Sequence, residues 1–470
     1  MVEHSQERKT VEAGEKNPRE VALQLLEERE LHGSDISMLL KDALAKAGAS
    51  LSVRDRAFVK ELAVGTVERQ ITLDAVIDRI ASVRTRRMKP VVRCAIRMGA
   101  YQILWLDGVP ASAAVDESVK LVKERMPLKI AGFVNAVLRR ITRERESILA
   151  RLDNPETPVG ERFSVPQYLC RLFKKERGRE QTARICAAFL QKRPVCLRPD
   201  PRLFADEARY AEWERALTEA VGSVRHHPAM PALLLVGEPG DVRMLPGFAD
   251  GLFTVQDAAS ALTVAAAGLK PADRVLDICA APGGKAMYAA ALLRDASQLT
   301  ARDVSEEKCA LLKENAERMR LSGMRIEVRD ATVFDPASEE QFDTVFCDLP
   351  CSGFGVIGRK PEIKYRACST QTDALVALQR SILENAARYV RPGGVLIYST
   401  CTISRAENED NVRWFTGAHP FATEPWLDAG IAGAVRSQVR DGCLQLLPGV
   451  NETDGFFIAR MRKKAADDPA

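Results

Sequence analysis

From Arg274 to Arg460, short apolar runs of strand length alternate with longer stretches of helical periodicity. A mostly parallel α/β sheet is the architecture that accommodates this rhythm. Strands are expected at Arg274–Ile278, Gln298–Arg302, Arg325–Arg329, Thr344–Cys347 and Val395–Ser399, and helices at Ala286–Leu293, Glu306–Arg320, Asp373–Tyr389 and Asn408–Phe415. Cys443–Leu447 and Gly455–Arg460 read as a closing antiparallel hairpin. Open α/β sheets hold their ligands beyond the carboxyl ends of the strands, so the residues just after each run are where function is sought.

After the first run comes Cys279-Ala280-Ala281-Pro282-Gly283-Gly284-Lys285. Two glycines and two alanines let backbone N–H groups approach a ligand closely. The Gly-x-Gly-x-x-Gly of nicotinamide enzymes is absent, which disfavours hydride transfer. Asp303 ends the next run, placed to accept from both hydroxyls of a ribose. Asp330 follows the third run and is placed for an adenine amino group; Asp348 follows the fourth, near the reactive end of a cofactor. A lone strand-end aspartate is usually a cap or turn former, but four features in this order weaken that explanation.

Two cysteines share this edge: Cys351 in Asp348-Leu349-Pro350-Cys351-Ser352-Gly353, and Cys401 in Tyr398-Ser399-Thr400-Cys401-Thr402. Two thiols over a nucleotide-type cofactor fit methylation of a pyrimidine carbon. Carbon 5 of cytosine is a weak nucleophile until a thiolate adds to carbon 6. A free thiol has a pKa of about 8.5, so its surroundings must raise the thiolate fraction. Spacing alone leaves open which cysteine attacks.

Upstream the pattern changes. Residues 1–17 read as a disordered lead ending at Asn17-Pro18, a helix-start signal. Residues 18–150 carry only helical periodicity and predict an all-α bundle. Residues 151–252 form a connector with helices at Tyr168–Arg177 and Gln181–Leu190 and short strands at Val195–Leu197 and Leu233–Val236, a small α+β subdomain. The α/β domain is placed at 253–463, with a tail at 464–470. Net charge is only +4, yet Arg79 to Arg97 holds seven basic residues and no acidic one, and Arg171 to Arg198 nine against two. One such run is ordinarily a solvated helix face; two ahead of this α/β half favour an RNA partner.

No apolar run reaches membrane-span length and the first twenty residues lack a signal-type apolar segment, so a cytoplasmic protein without membrane association is expected. The eleven cysteines are scattered without a Cys-x-x-Cys, which reads as reduced thiols. All five histidines lie outside the motif segments, so no metal and no histidine triad are expected.

The segments around Cys279–Lys285, Cys351 and Cys401 resemble the motifs of the RNA 5-methylcytosine methyltransferases. Ile96–Leu104 and Gly132–Arg140 resemble helices of a NusB-like RNA-binding domain. This domain combination is similar to that of bacterial small-subunit rRNA cytosine-5 methyltransferases. The resemblance implies a class I methyltransferase domain, S-adenosylmethionine as cofactor and 16S rRNA, unassembled or early in assembly, as partner, with no obligate protein partner. It implies Cys279, Ala280, Ala281, Pro282, Gly283, Gly284, Lys285, Asp303, Asp330 and Asp348 as cofactor-binding positions. It also implies Cys401 in the Thr-Cys motif as nucleophile, Cys351 in product release and Asp348 as a stabiliser of charge on the base; in DNA cytosine methyltransferases a Pro-Cys cysteine attacks instead. Arg359, Lys360 and Lys364 suit phosphate contact, Tyr365 a stacking surface, and Lys285 either the site or an exposed helix start. Ala286-Met287, Leu349 and Phe354 depart from the family's usual residues, as does the connector, which lacks its usual aromatic and asparagine.

A methyltransferase for another RNA, tRNA or 23S rRNA, is the nearest alternative, disfavoured by the NusB-like half. A non-catalytic RNA-binding factor is the alternative of a different class, disfavoured by retention of both thiols. Asp348-Leu349-Pro350-Cys351 also differs from the Asn/Asp-Pro-Pro-aromatic motif of amino-group methyltransferases.

Overall fold

The computed structural model describes residues 17–426, 430–450 and 452–465. The expected lead before Asn17 and the tail from 466 onward lie outside the described residues. Among the described residues there are two compact units. One ends at Arg171 and also takes in Lys360–Tyr365; the other comprises Leu172–Arg359 and resumes at Arg366.

The first unit is all helical, as its periodicity predicts. Its first helix, Pro18–His32, starts where Asn17 accepts from the Arg19 amide and stops at Gly33 in the left-handed region. Val53–Glu68 opens with a reciprocal Ser52–Asp55 capping box. Leu23, Leu62, Leu73, Ile96, Val134 and Leu138 meet in one apolar core. Two members of the basic run sit inside it. Arg97 forks onto Asp74 at 2.7 Å and reaches Glu30 at 3.0 Å, and Arg93 also pairs with Glu30. Burial pushes the Asp74 carboxyl up against the pull of Arg97.

In the second unit, strands β1 (Val195–Pro199), β2 (Val224–His226), β3 (Leu234–Val236) and β4 (Phe253–Val255) form an antiparallel sheet of order β2-β3-β1-β4. The residue expected to open the α/β domain, Phe253, is the first of β4 and pairs with Pro199 of the connector. The two helices expected in the connector lie within Gln167–Ala188 and are separated by the non-helical Gly178, φ 81° and ψ 171°.

The larger sheet contains β5 (Val275–Asp277), β6 (Leu299–Asp303), β7 (Arg325–Val328), β8 (Phe342–Asp348), β9 (Val390–Thr400), β10 (Phe421–Thr423), β11 (Cys443–Leu446) and β12 (Phe456–Lys463). Its order is β10-β12-β9-β8-β5-β6-β7, with β11 paired to β12. Strands β5 to β9 run parallel, while β12 inserts antiparallel between β9 and β10. Strand order therefore reverses between β5 and β8, which is where such sheets open a ligand crevice. No helix among the described residues is long and apolar enough to cross a membrane.

Candidate active site

The turn after β5 is tied down on both sides. The Ile278 amide continues the ladder to Phe346, and the Ala280 amide reaches the Arg302 carbonyl at 2.8 Å. Gly283 then turns back to Ala280 with φ 108° and caps the helix Gly284–Leu292. A Cβ on Gly283 would lie 2.9 Å from Leu312 Cδ2 as well as in a strained conformation, so only glycine fits.

This turn walls a cavity of about 250 Å³ whose lining includes Asp277, Cys279, Ala280, Ala281, Pro282, Gly284, Lys285 and Asp348. Gln256, Asp257, Asp454 and Phe456 close another side. Lys285, expected either at the site or as an exposed helix start, is largely buried and lines the cavity; its ammonium donates to Asp348 at 2.7 Å and sits 5.2 Å from the Phe456 ring centroid. Asp348 also accepts from Ser399 Oγ at 2.8 Å.

Asp277 escaped the sequence reading. It is 1 % exposed, lines the cavity, and neither carboxylate oxygen has a hydrogen-bond partner. Burial, reinforced by the charge of Asp348 and opposed by Lys285, pushes its pKa up to about 7. Leaving such a group unpaired costs about 1–3 kcal/mol, which a cationic ligand group offsets. The only sequence signal was its place as the last residue of the first strand.

Asp303 and Asp330 stand elsewhere than the cavity lining. Asp303 is buried and buttresses the turn, accepting from the Ala281 and Val304 amides and from Lys308 Nζ. Asp330 is exposed and closes a local turn, accepting from the amide and hydroxyl of Thr332; those bonds hold its carboxyl below the usual range.

The two thiols are brought together. In the parallel β8–β9 ladder Cys347 pairs with Tyr398 and Asp348 with Ser399, so Cys351 and Cys401 leave adjacent strands at the same edge. Their sulfurs are 3.3 Å apart and neither is in a disulfide. The hydrogen bond to Cys401, followed by burial, raises the Cys351 thiol well above its ordinary range. The loops are also locked by the Gly355 amide on the Cys401 carbonyl at 3.0 Å; a Cβ at Gly355 would fall 1.9 Å from the Gly455 carbonyl oxygen.

The basic segment after the Pro-Cys loop does not form the expected phosphate and stacking surface. Arg359 pairs with Asp454 at 2.9 Å and Asp257 at 3.2 Å. Lys364 is buried and donates to the Glu68 carbonyl, while Tyr365 donates to the Val67 carbonyl beneath the Arg29 guanidinium. Arg359 and Lys360 are both exposed, but Arg359 is engaged by the two carboxylates. The second basic run is only partly spent internally: Arg193 pairs with Asp454 and Arg198 is buried against Gln256 and Tyr288, whereas Arg171, Lys174, Lys175, Arg179, Arg184 and Lys192 are exposed. From the first run, Arg86, Arg87 and Lys89 are exposed.

Comparison with known proteins places this geometry in a family. Residues 264–462 match the 16S rRNA methyltransferase RsmB/F family and residues 16–143 the NusB family. The probable ribosomal RNA small subunit methyltransferase B of Bacillus subtilis is 35% identical over 448 residues, covering 95% of this chain and 98% of the relative. The chain belongs to the RsmB/F family. It is an S-adenosylmethionine-dependent RNA methyltransferase with a NusB-like helical domain. The ribosomal RNA small subunit methyltransferase B of Vibrio cholerae is 32% identical, covering 92% of this chain and 94% of the relative. Among solved structures, PH0851 superposes with a TM-score of 0.75 at 25% identity, covering 95% of this chain and 99% of that one. The methyltransferase homolog protein from Pyrococcus horikoshii gives 0.53 at 26% identity, over 67% and 99%.

The cavity suits S-adenosylmethionine. Its glycine turn admits close backbone approach, and the unpaired Asp277 carboxylate offers a seat for the methionine ammonium.

Proposed function

We propose that this protein methylates carbon 5 of a cytidine in 16S rRNA through a covalent cysteine–cytosine adduct. The observation that carries this reading is the Cys351–Cys401 pair, two thiols outside any disulfide 3.3 Å apart, on the strands whose Asp348 and Ser399 are hydrogen-bonded beside the cavity of the glycine turn. The small-subunit rRNA substrate is carried from the names of the full-length relatives, and unassembled rRNA or an early assembly intermediate is the form in which the site is most open to the enzyme. Bisulfite sequencing of rRNA from cells with and without the gene tests it: one 16S cytidine should lose its protection, and an unchanged 16S profile overturns it.

S-adenosylmethionine, when bound, supplies an electrophilic methyl group. Residues Cys279–Lys285 and Asp277 would hold its methionine end, Asp303 would brace the turn, and Asp330 would serve the adenine. The Cys401 thiolate adds to carbon 6, forming a C–S bond and moving the ring's electron pair toward carbon 5. Asp348, oriented by Lys285 and Ser399, accepts a hydrogen bond from the amino edge of the base and stabilises the charge that develops on addition. Once the methyl group has passed to carbon 5, leaving the cofactor's sulfur as a neutral thioether, the carbon-5 proton would pass to Cys351 as the base and the C–S bond would break, returning Cys401 as the thiolate. Cys351 serves this release.

Two predictions attach to this reading. Asp277 is neutral below about pH 7 and charged above it, and a cationic ligand prefers the charged form. Cofactor affinity measured by calorimetry should therefore rise between about pH 6 and pH 8, and Asp277→Asn should weaken binding and flatten the rise. For the helical unit, RNA affinity should fall steeply with salt. Reversing Arg86 and Arg87 to Glu should lower the slope of log affinity against log salt by about 1 to 2, as removal of one or two phosphate contacts does. An unchanged slope would make the helical unit a docking module with another function.

A further inference from the structure

The residues on either side of each thiol are gripped by one buried polar cluster. Beside Cys351, the Pro350 carbonyl accepts from Gln379 Nε2 at 2.9 Å, and the Ser352 amide donates to the Glu407 carboxylate at 2.8 Å. Beside Cys401, Thr400 Oγ1 donates to Asn408 Oδ1 at 2.6 Å, and the Thr402 carbonyl accepts from Asn408 Nδ2 at 3.1 Å. The two loops are also bonded to each other, Ser352 Oγ to Thr402 Oγ1 at 2.7 Å, and Glu407 engages both hydroxyls. Gln379 Nε2 reaches Glu407 at 3.1 Å, Gln379 Oε1 accepts from Asn411 Nδ2 at 2.8 Å, and Arg380 Nε donates to Asn411 Oδ1 at 2.9 Å. Gln379, Thr400, Thr402, Glu407, Asn408 and Asn411 are fully buried, so parting the thiols would strip several buried groups of their partners. The 3.3 Å approach of the two sulfurs is therefore built into the fold from behind.

We propose that Cys351 and Cys401 form a modification site for hydroperoxides, joined by oxidation into a disulfide that switches methylation off. Closing the gap to a bond asks for a movement of about 1 Å, which rotation of the two side chains supplies without disturbing the cluster behind them. Both cysteines are half-buried, so each keeps access for a molecule as small as hydrogen peroxide. Whichever sulfur is deprotonated attacks one peroxide oxygen; the O–O bond breaks, water leaves and a sulfenic acid remains. The second sulfur then attacks the first, the S–O bond breaks, and the departing hydroxide takes the second thiol's proton. Two thiols thus lose two electrons and two protons, and one peroxide becomes two waters. A cysteine without such a neighbour passes onward to sulfinic acid, whereas here the partner intercepts the sulfenic acid, and a dithiol reductant restores both thiols by exchange. The loss of methylation rests on the proposed thiol chemistry, and holds whichever cysteine adds to carbon 6, because both are consumed in one bond. Formation of the bond does not rest on it.

Limited hydrogen peroxide treatment of the reduced full-length chain, followed by alkylation and peptide mass spectrometry, tests this. More than about half of the molecules should carry a Cys351–Cys401-linked peptide, lighter by two hydrogens than its two halves together. Methylation of rRNA should fall at least about tenfold as the link forms and return to within about twofold of its starting rate with dithiothreitol. Sulfinic acids on unlinked Cys351 and Cys401, or an unchanged pair at a dose that oxidises the exposed Cys368, overturn the proposal. A linked protein that still methylates overturns the switch. Cys351→Ser, which lacks the second sulfur, should carry Cys401 to a sulfinic acid that dithiothreitol does not reverse. Recovery of the Cys401 thiol in that variant equal to the unaltered chain's overturns the proposal as well. Absence of methylation in the reduced protein overturns the proposed reaction instead, and the link is then judged by its peptide mass alone.

Discussion

Cys401→Ala is expected to abolish methylation of rRNA, a loss of about three orders of magnitude or more, and to form no protein–RNA adduct. Nothing then remains to add to carbon 6, and carbon 5 stays too weak a nucleophile. Cys351→Ala should instead attack and methylate but release product poorly, so an RNA-linked protein should accumulate on a denaturing gel. The two sulfurs are 3.3 Å apart in a half-buried setting, so both variants change the same small volume and differ only in which role is lost. The reverse pattern, adducts with Cys401→Ala and none with Cys351→Ala, would make Cys351 the nucleophile.

Gly283→Leu should lower S-adenosylmethionine affinity by about two orders of magnitude or more in calorimetry. The substitution imposes a side chain on a φ of 108° and drives Cβ to 2.9 Å from Leu312 and 3.1 Å from Met287, so the turn itself must move. Asp303→Ala should act in the same direction but less strongly, since it removes an acceptor from the Ala281 and Val304 amides without adding bulk. Unchanged affinity in a folded Gly283→Leu chain would place the cofactor elsewhere.

Much of this was legible in the chain. Period-two and period-3.6 patterns are local properties, so the parallel strands, the intervening helices and the helical first unit follow from short windows of sequence. The family was legible too, because the glycine turn and the two cysteine motifs are contiguous strings. The strand Phe421–Thr423 and the pairing of Phe253 with Pro199 were not, since three-residue strands carry too little pattern and acquire their identity only from a neighbour.

Charge was where the one-dimensional reading went furthest astray. Arg93, Arg97, Arg193, Arg198, Arg359 and Lys364 looked like surface cations because their partners are distant in sequence: Glu30 and Asp74, Asp454, Gln256, Asp257, and the Glu68 carbonyl. A long side chain can face solvent or fork onto a buried carboxylate, and local sequence does not distinguish the two. Asp277 and Glu407 show the converse. Asp277 looked like an ordinary strand-end aspartate, and Glu407 stood out only as part of the Glu407-Asn408 pair that the resemblance to the RNA family expects after the Thr-Cys motif. Only packing leaves the first without a partner in the cavity wall and surrounds the second with donors. The sequence by itself determined the strand rhythm, the glycine turn and the order of the two thiols. The parallel pairing of β8 with β9 decided that those thiols meet, because only tertiary register brings residues fifty apart to a separation of 3.3 Å.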